Sequence, residues 1–144
     1  KEHNLKSTES RLIILDIFKE NTHALSYNDI ESLLAVKLDR VTVYRTLKSF
    51  EENGLIHQIY DGSTQVKYAL CPPGSCSSHQ HKDSHPHFRC DKCDKTFCLS
   101  DVVSSITALP EGYQSKSQSV FIQGICKVCN GHKNWLKKLT ILVT

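Results

Sequence analysis

Apolar positions in the first part of the chain recur at helical spacing, in three blocks separated by polar caps. Leu12, Ile13, Leu15, Ile17 and Phe18 form a broad apolar face, predicting a helix from Thr8 or Ser7 to about Asn21. Ser26 precedes YNDIESLLAVK, where Asp29 three residues on makes a weak form of capping box and Ile30, Leu33 and Leu34 make the stripe. Asp39 opens a third helix, RVTVYRTLKSFEENG. Its inward positions are Val43, Leu47 and Phe50, and Gly54 stands where a helix commonly ends.

The period then drops to two. Two β-rich runs, 55–60 and 65–70, flank DGST and predict a hairpin. Three short helices followed by a hairpin make a winged helix-turn-helix, with the third helix as the candidate groove reader. CPPGSCSSHQHKD (71–83), rich in Pro, Gly and Ser, is a linker. Short β-like runs follow at 86–90, 95–99, 112–117 and 119–125, with a short helical piece near 101–108. The reading is therefore α+β. A winged-helix domain (1–70), a ligand-rich linker (71–84) and a small α/β dimerisation and metal-binding domain (85–144) follow one another. Residues 132–144 suit a helix or a strand equally.

A chain of 144 residues allows one ordinary domain or two small ones. No window approaches the apolar run of about 20 residues that a membrane span needs. LIIL at 12–15 is bounded by Arg11 and Asp16 and reads as a buried helix face. The start, KEHNLKSTES, is polar, so neither a secretory signal nor a membrane is expected, and the cytoplasm is the expected compartment. The chain holds no Met, so the first residues of the natural protein are expected to be missing. Net charge is only +3, with 8 Lys/Arg against 9 Asp/Glu in residues 1–60 and 10 against 6 beyond. Bulk charge therefore makes no case for nucleic acid; such a case rests on where particular basic residues point.

On the third helix, Arg40, Thr42, Tyr44, Arg45 and Lys48 fall away from the apolar face. Recognition helices touch base edges with their N-terminal residues, which selects Thr42, Tyr44 and Arg45 for the major groove. Lys6 and Arg11 are placed to reach phosphates or an adjacent minor groove. An ordinary solvated helix face would read the same way.

Seven cysteines is an odd number, and they keep company with many histidines. Metal binding is the expected use, not a disulfide framework. Cys90-Asp-Lys-Cys93 and Cys126-Lys-Val-Cys129 are two knuckles, and four thiolates make a closed, structural zinc site. The remaining candidates crowd around the linker. His85 and His87, two apart on a strand, face one side, and Cys98 on the next run can come alongside. Cys71, His79 or His81 would complete four ligands, with Cys76 also near. Thiolate plus imidazole favours Zn²⁺, although a surface loop of histidines with no single geometry would look similar. No H-E-x-x-H or deaminase-type H-x-E occurs, so no catalytic residue, enzyme activity or small-molecule substrate is expected.

VTVYRTL in the third helix, HPHFRCDKC after the linker and GICKVC near the end occur in an order that resembles the Fur superfamily of metal-responsive repressors, over about residues 5–130. The resemblance implies an N-terminal winged helix and a C-terminal dimerisation domain, and a homodimer that binds a double-stranded DNA operator when a hinge metal is present. It matches Tyr44 and Arg45 to the family's base-contacting pair and Lys6 to its minor-groove lysine. It matches Cys90, Cys93, Cys126 and Cys129 to structural zinc, and His85 and His87 to the hinge sensor.

Departures sharpen the expectation. Iron-sensing relatives usually carry a carboxylate where this chain has Cys98, which argues for zinc. Ala24 stands where many relatives have a sensor histidine, with His23 next door as a substitute. Ala69 stands where some have a glutamate ligand, with Cys71 and Cys76 as replacements. Ser105 and Gln118 replace a carboxylate and a histidine of a further site, which is therefore expected to be absent. The expectation is a zinc-responsive repressor of metal-homeostasis genes, with one structural and one regulatory Zn²⁺. The alternatives are an iron- (Fe²⁺) or peroxide-responsive relative and, in other classes, a zinc-stapled interaction module or a zinc enzyme.

Overall fold

The computed structural model describes residues 5–72, 76–77, 80–81, 85–103, 107–116 and 118–131. Among these residues the elements follow in the order α1 (Glu9–Glu20), β1 (Leu25–Ser26), α2 (Tyr27–Leu33), α3 (Arg40–Glu52), β2 (Ile56–Ile59), β3 (Lys67–Leu70), β4 (Cys76–Ser77), β5 (Gln80–His81), β6 (His87–Cys90), β7 (Thr96–Cys98) and β8 (Phe121–Gly124).

The helices begin where polar caps stand. Ser26 and Asp29 form the full reciprocal capping box of α2, and Asp39 caps α3 by accepting from the Thr42 amide at 2.9 Å. Gly54, with φ 69°, takes the left-handed conformation just past α3. Ile14, Ile17, Phe18, Ile30, Val43, Leu47, Phe50 and Ile56 are buried together as the core of the first unit. Ile14, fully buried, stands at the centre of the α1 face, whereas Leu12 is 49 % exposed. The face is thus rotated from the expected one: α3 packs on the 14/17/18 side, and Leu12 turns outward.

The predicted hairpin is present as β2 and β3, with Ile56 paired to Leu70 and His57 to Ala69. β1, which the sequence did not suggest, adds to the outer side of β3. Alternation splits the two faces of this sheet. Ile56 packs on the helices, while Ile59 and Ala69 join Ala24 against Cys98 of the second unit.

In the second unit the strand order is β7-β6-β8, with β7 antiparallel and β8 parallel to β6. The described residues at 101–103 and 107–116 carry neither the helical piece expected near 101–108 nor the strand expected at 112–117. Val102 instead closes a turn on Leu99, and Tyr113 closes one on Pro110 with Gly112 at φ 86°. Gly112, in its left-handed turn, interrupts the start of the expected strand. Residues 127–131 are helical. His79, Ser105 and residues 132–144 lie outside the described residues, as do the side chains of Cys76 and His81. No described helix is long and apolar enough to cross a membrane.

Candidate metal centres

Cys90 ends β6, and Cys93 follows in a tight turn in which Asp94 takes φ 55°. The parallel pairing of β8 sets Gly124 beside Cys90, and the Asp91 amide bonds Gly124 at 2.8 Å. That delivers Cys126 to the first knuckle, and the helical turn after it delivers Cys129. The four sulfurs lie within 4.8 Å of one another. Cys93 and Cys126 Sγ are 3.8 Å apart, far beyond a disulfide bond and close to the S···S separation of about 3.8 Å that tetrahedral zinc with bonds of about 2.3 Å requires. The Cys126 amide, aimed at Cys90 Sγ from 3.3 Å, leads the backbone donors that pull the Cys90 pKa down to about 6 against its burial. Hydrogen bonding with Cys126, then burial, pushes Cys129 up to about 12. The backbone thus favours one thiolate while crowding pushes Cys93 and Cys129 up, a set whose protons a divalent cation would displace.

A second group sits in the seam between the two units. His57, His85, His87 and Cys98 offer ligand atoms within 4.8 Å of one another. His57 comes from β2 and is buried at 1 % exposure. His87 and Cys98 are paired across β6 and β7, and His85 precedes them. His57 Nε2 lies 3.3 Å from His87 Nε2 and 3.4 Å from Cys98 Sγ. Tetrahedral zinc sets such atoms about 3.3 and 3.6 Å apart. His85 Nε2 is buried without a hydrogen-bond partner, and its ring centroid is 4.8 Å from that of His87 and 5.2 Å from that of His57. A buried nitrogen with no hydrogen-bond partner, set among three other donor atoms, fits the role of a metal ligand. On the far side of the His57 ring, Nδ1 is 3.5 Å from Cys71 Sγ.

Of the ligands read from the sequence, His85, His87 and Cys98 are thus together, and Cys71 adjoins them through His57. His57 itself was missed. Its signal was a lone histidine between apolar positions in LIHQI, legible only as strand alternation until the opposite face gains a partner. His23, offered as a substitute ligand, packs its ring 6.3 Å from that of Phe97, outside the group. Burial, helped by Lys95, lowers its pKa. Ala24 and Ala69 pack with Ile59 against Cys98, small residues that let the two units close around the group. Gln118 is bonded at both ends of its amide to Thr107.

On the DNA side, Tyr44 is 59 % exposed and Arg45 lies exposed beside it on α3. Thr42 is half-exposed, with its hydroxyl on Asp39 at 2.5 Å. Arg11 is turned inward, donating to the Lys6 carbonyl at 2.8 Å and to Ser49 Oγ at 3.1 Å, while Lys6 itself is exposed.

The sequence profile of the Ferric uptake regulator family matches residues 2–123. The chain belongs to that family. Like other Fur-family proteins it is a metal-responsive transcriptional regulator that binds DNA, with an α+β fold of DNA-binding and dimerisation domains. It is 31 % identical to the ferric uptake regulation protein of Bordetella parapertussis, over 90 % of this chain and 92 % of that one. Among solved structures, the ferric uptake regulator of Francisella tularensis with iron superposes with a TM-score of 0.57 at 27 % identity, covering 90 % of this chain and 98 % of the other. A zinc uptake regulator complexed with zinc and DNA superposes at 0.61 and 23 % identity, covering 91 % and 87 %. Both iron- and zinc-named Fur-family proteins are therefore similar to this chain, and the donor atoms of the seam must decide between the metals.

Proposed function

We propose that this Fur-family protein is a dimeric, zinc-responsive repressor acting in the cytoplasm on a double-stranded DNA operator. In this reading His57, His85, His87 and Cys98 hold the regulatory zinc, and Cys71 steadies His57 from its outer nitrogen. Cys90, Cys93, Cys126 and Cys129 hold the structural zinc. The observation that carries the reading is the seam's donor set: three imidazoles and one thiolate, with no carboxylate in the group. Soft and borderline donors in that combination suit zinc, whereas iron sensing favours oxygen. A set of four protein donors leaves no position for a substrate, which accords with regulation and not catalysis.

A bound cation would draw nitrogens and sulfur from two units onto one centre. His57 belongs to the sheet that backs the recognition helix, and the other donors belong to the second unit, His87 and Cys98 in its sheet and His85 just before β6. Filling the site therefore stabilises the closed seam by the difference in affinity between closed and open states. Tyr44 and Arg45 then meet base edges, with Lys6 toward phosphates and Arg11 bracing the Lys6 backbone against α3. β8 is a sheet edge whose Phe121 and Ile122 are 40 % and 38 % exposed, and such an edge suits pairing with a second copy.

The test is metal stoichiometry per protomer before and after mild chelation, with DNA binding followed in parallel. Two zincs falling to one, with DNA binding lost and restored by zinc, is the expected result. DNA binding restored by iron alone, and lost after brief peroxide exposure, would replace this reading with the iron- or peroxide-responsive one.

A further inference from the structure

The N-terminal turn of α3 has its polar side chains already engaged. Asp39 is the cap, and the Thr42 hydroxyl donates to it at 2.5 Å. The Arg40 guanidinium lies 5.2 Å over the ring of Tyr27 in α2. What the turn presents outward is Val41, 55 % exposed. Three and four residues on, the same face carries Tyr44 and Arg45, and Lys48 follows.

A single exposed valine is ordinary on a protein surface. This one stands in a particular setting. A β-branched residue is a poor helix former, and the first turn favours acids through the helix dipole. α3 has no acid there. With Asp39 occupying the helix end itself, the turn offers an outward apolar group followed on the same face by basic side chains, a combination suited to a polyanion with an apolar feature.

We infer that Val41 reads a base, packing its isopropyl group on the C5-methyl of a thymine in the major groove beside the contact of Arg45. Valine neither donates nor accepts, and the thymine methyl is the apolar group that base edges display in that groove. The position agrees, because recognition helices read with their N-terminal residues. The inference rests on the DNA-binding reading and adds to it a residue that selects sequence. It also moves base selection at this turn from Thr42, whose hydroxyl serves the cap, to its neighbour.

The experiment starts by selecting bound duplexes from a random double-stranded library with the metal-loaded full chain. Each thymine of a selected duplex is then replaced by deoxyuridine, which removes only the methyl group. Dissociation constants are measured for the unaltered protein, Val41→Ala and Val41→Ile. At one thymine per half-site, uracil should weaken the unaltered protein about fourfold, the worth of one methyl-sized group. The same replacement should leave the already weakened Val41→Ala unchanged, while Val41→Ile keeps the dependence. Equal uracil effects on the unaltered protein and Val41→Ala at every thymine would overturn the assignment and leave DNA binding standing. Failure of the metal-loaded protein to enrich any duplex would overturn the DNA-binding reading and this assignment with it.

Discussion

Asp61 in the wing and Thr96 in β7, both almost wholly out of solvent, are hydrogen-bonded to each other across the seam between the two sheets. Lys67 Nζ closes on the Asp61 carboxylate at 2.7 Å and also reaches Thr96 Oγ1 at 3.2 Å and the Asp94 carbonyl at 3.0 Å. The Thr96 carbonyl accepts from the Ala24 amide at 2.7 Å. β2 and its continuation carry both His57 and Asp61, and β7 carries both Thr96 and Cys98. One pair of segments is therefore joined twice, once by candidate metal ligands and once by the Thr96–Asp61 hydrogen bond, which needs no metal.

Replacing Asp61 by Asn should cost about 3 kcal/mol of stability, because it strands Lys67, only 12 % exposed, without its countercharge. Burial alone would raise the Asp61 pKa; hydrogen bonds from Lys67, Ser63 and Thr96 outweigh it and hold the carboxyl below the usual range. A depressed folded-state pKa stabilises at neutral pH and ceases to do so as pH falls below about 4, the unfolded value, toward the folded one. Denaturant titrations should show a gap between parent and Asp61→Asn that is flat from about pH 5 to 8 and narrows in stronger acid. A gap that widens on acidification would contradict the ion pair.

His57→Asn should weaken the regulatory zinc by more than the roughly 10–100-fold that loss of an outer-shell partner brings. His23→Asn should leave zinc affinity unchanged, since His23 faces Phe97. Competition titration against a chromophoric chelator reads both. The reverse ranking would move the sensor to His23.

Cys126→Ser should remove one zinc per protomer and unfold the β7-β6-β8 unit, because structural zinc contributes folding free energy. Helices α1 to α3 keep their own core. Proteolysis should therefore trim the second unit and spare the first. A variant that retains both zincs and resists protease would dismiss the structural role.

Ile14→Ala should destabilise the protein by about 2–5 kcal/mol, the usual range for a cavity in a closed core. Leu12→Ala, at a position 49 % exposed, should cost under about 1 kcal/mol. Thermal melts of the two variants distinguish the observed helix face from the one suggested by apolar density alone.

Much of the fold was legible because its causes are local. Ser26, Asp29 and Asp39 cap helices through bonds to residues two or three positions away, so spacing alone locates them. Gly54 ends α3 for a reason confined to its own backbone. The two knuckles announce a metal set because each pair closes within four residues, although only the parallel placement of β8 against β6 brings them together. The rotation of α1 was not legible. LIIL is apolar all round, and the partner helix chooses which side is buried.

The proposed sensor divides along the same line. His87 and Cys98 share one sheet and His85 stands two residues before His87, so strand alternation relates them in sequence terms. His57 and Asp61 acquire their roles from the other side of a seam, where a buried imidazole and a buried carboxylate find partners some 30 residues away. The amino-acid sequence by itself determined α1 to α3, the wing hairpin and the cysteine knuckles, since propensity, capping and ligand spacing are carried by residue types at short range. Only the tertiary structure decided which face of α1 is buried, which histidine crosses the seam and why a turn aspartate is buried. Those outcomes depend on which surfaces meet, and burial makes a polar group costly until the fold supplies its partner.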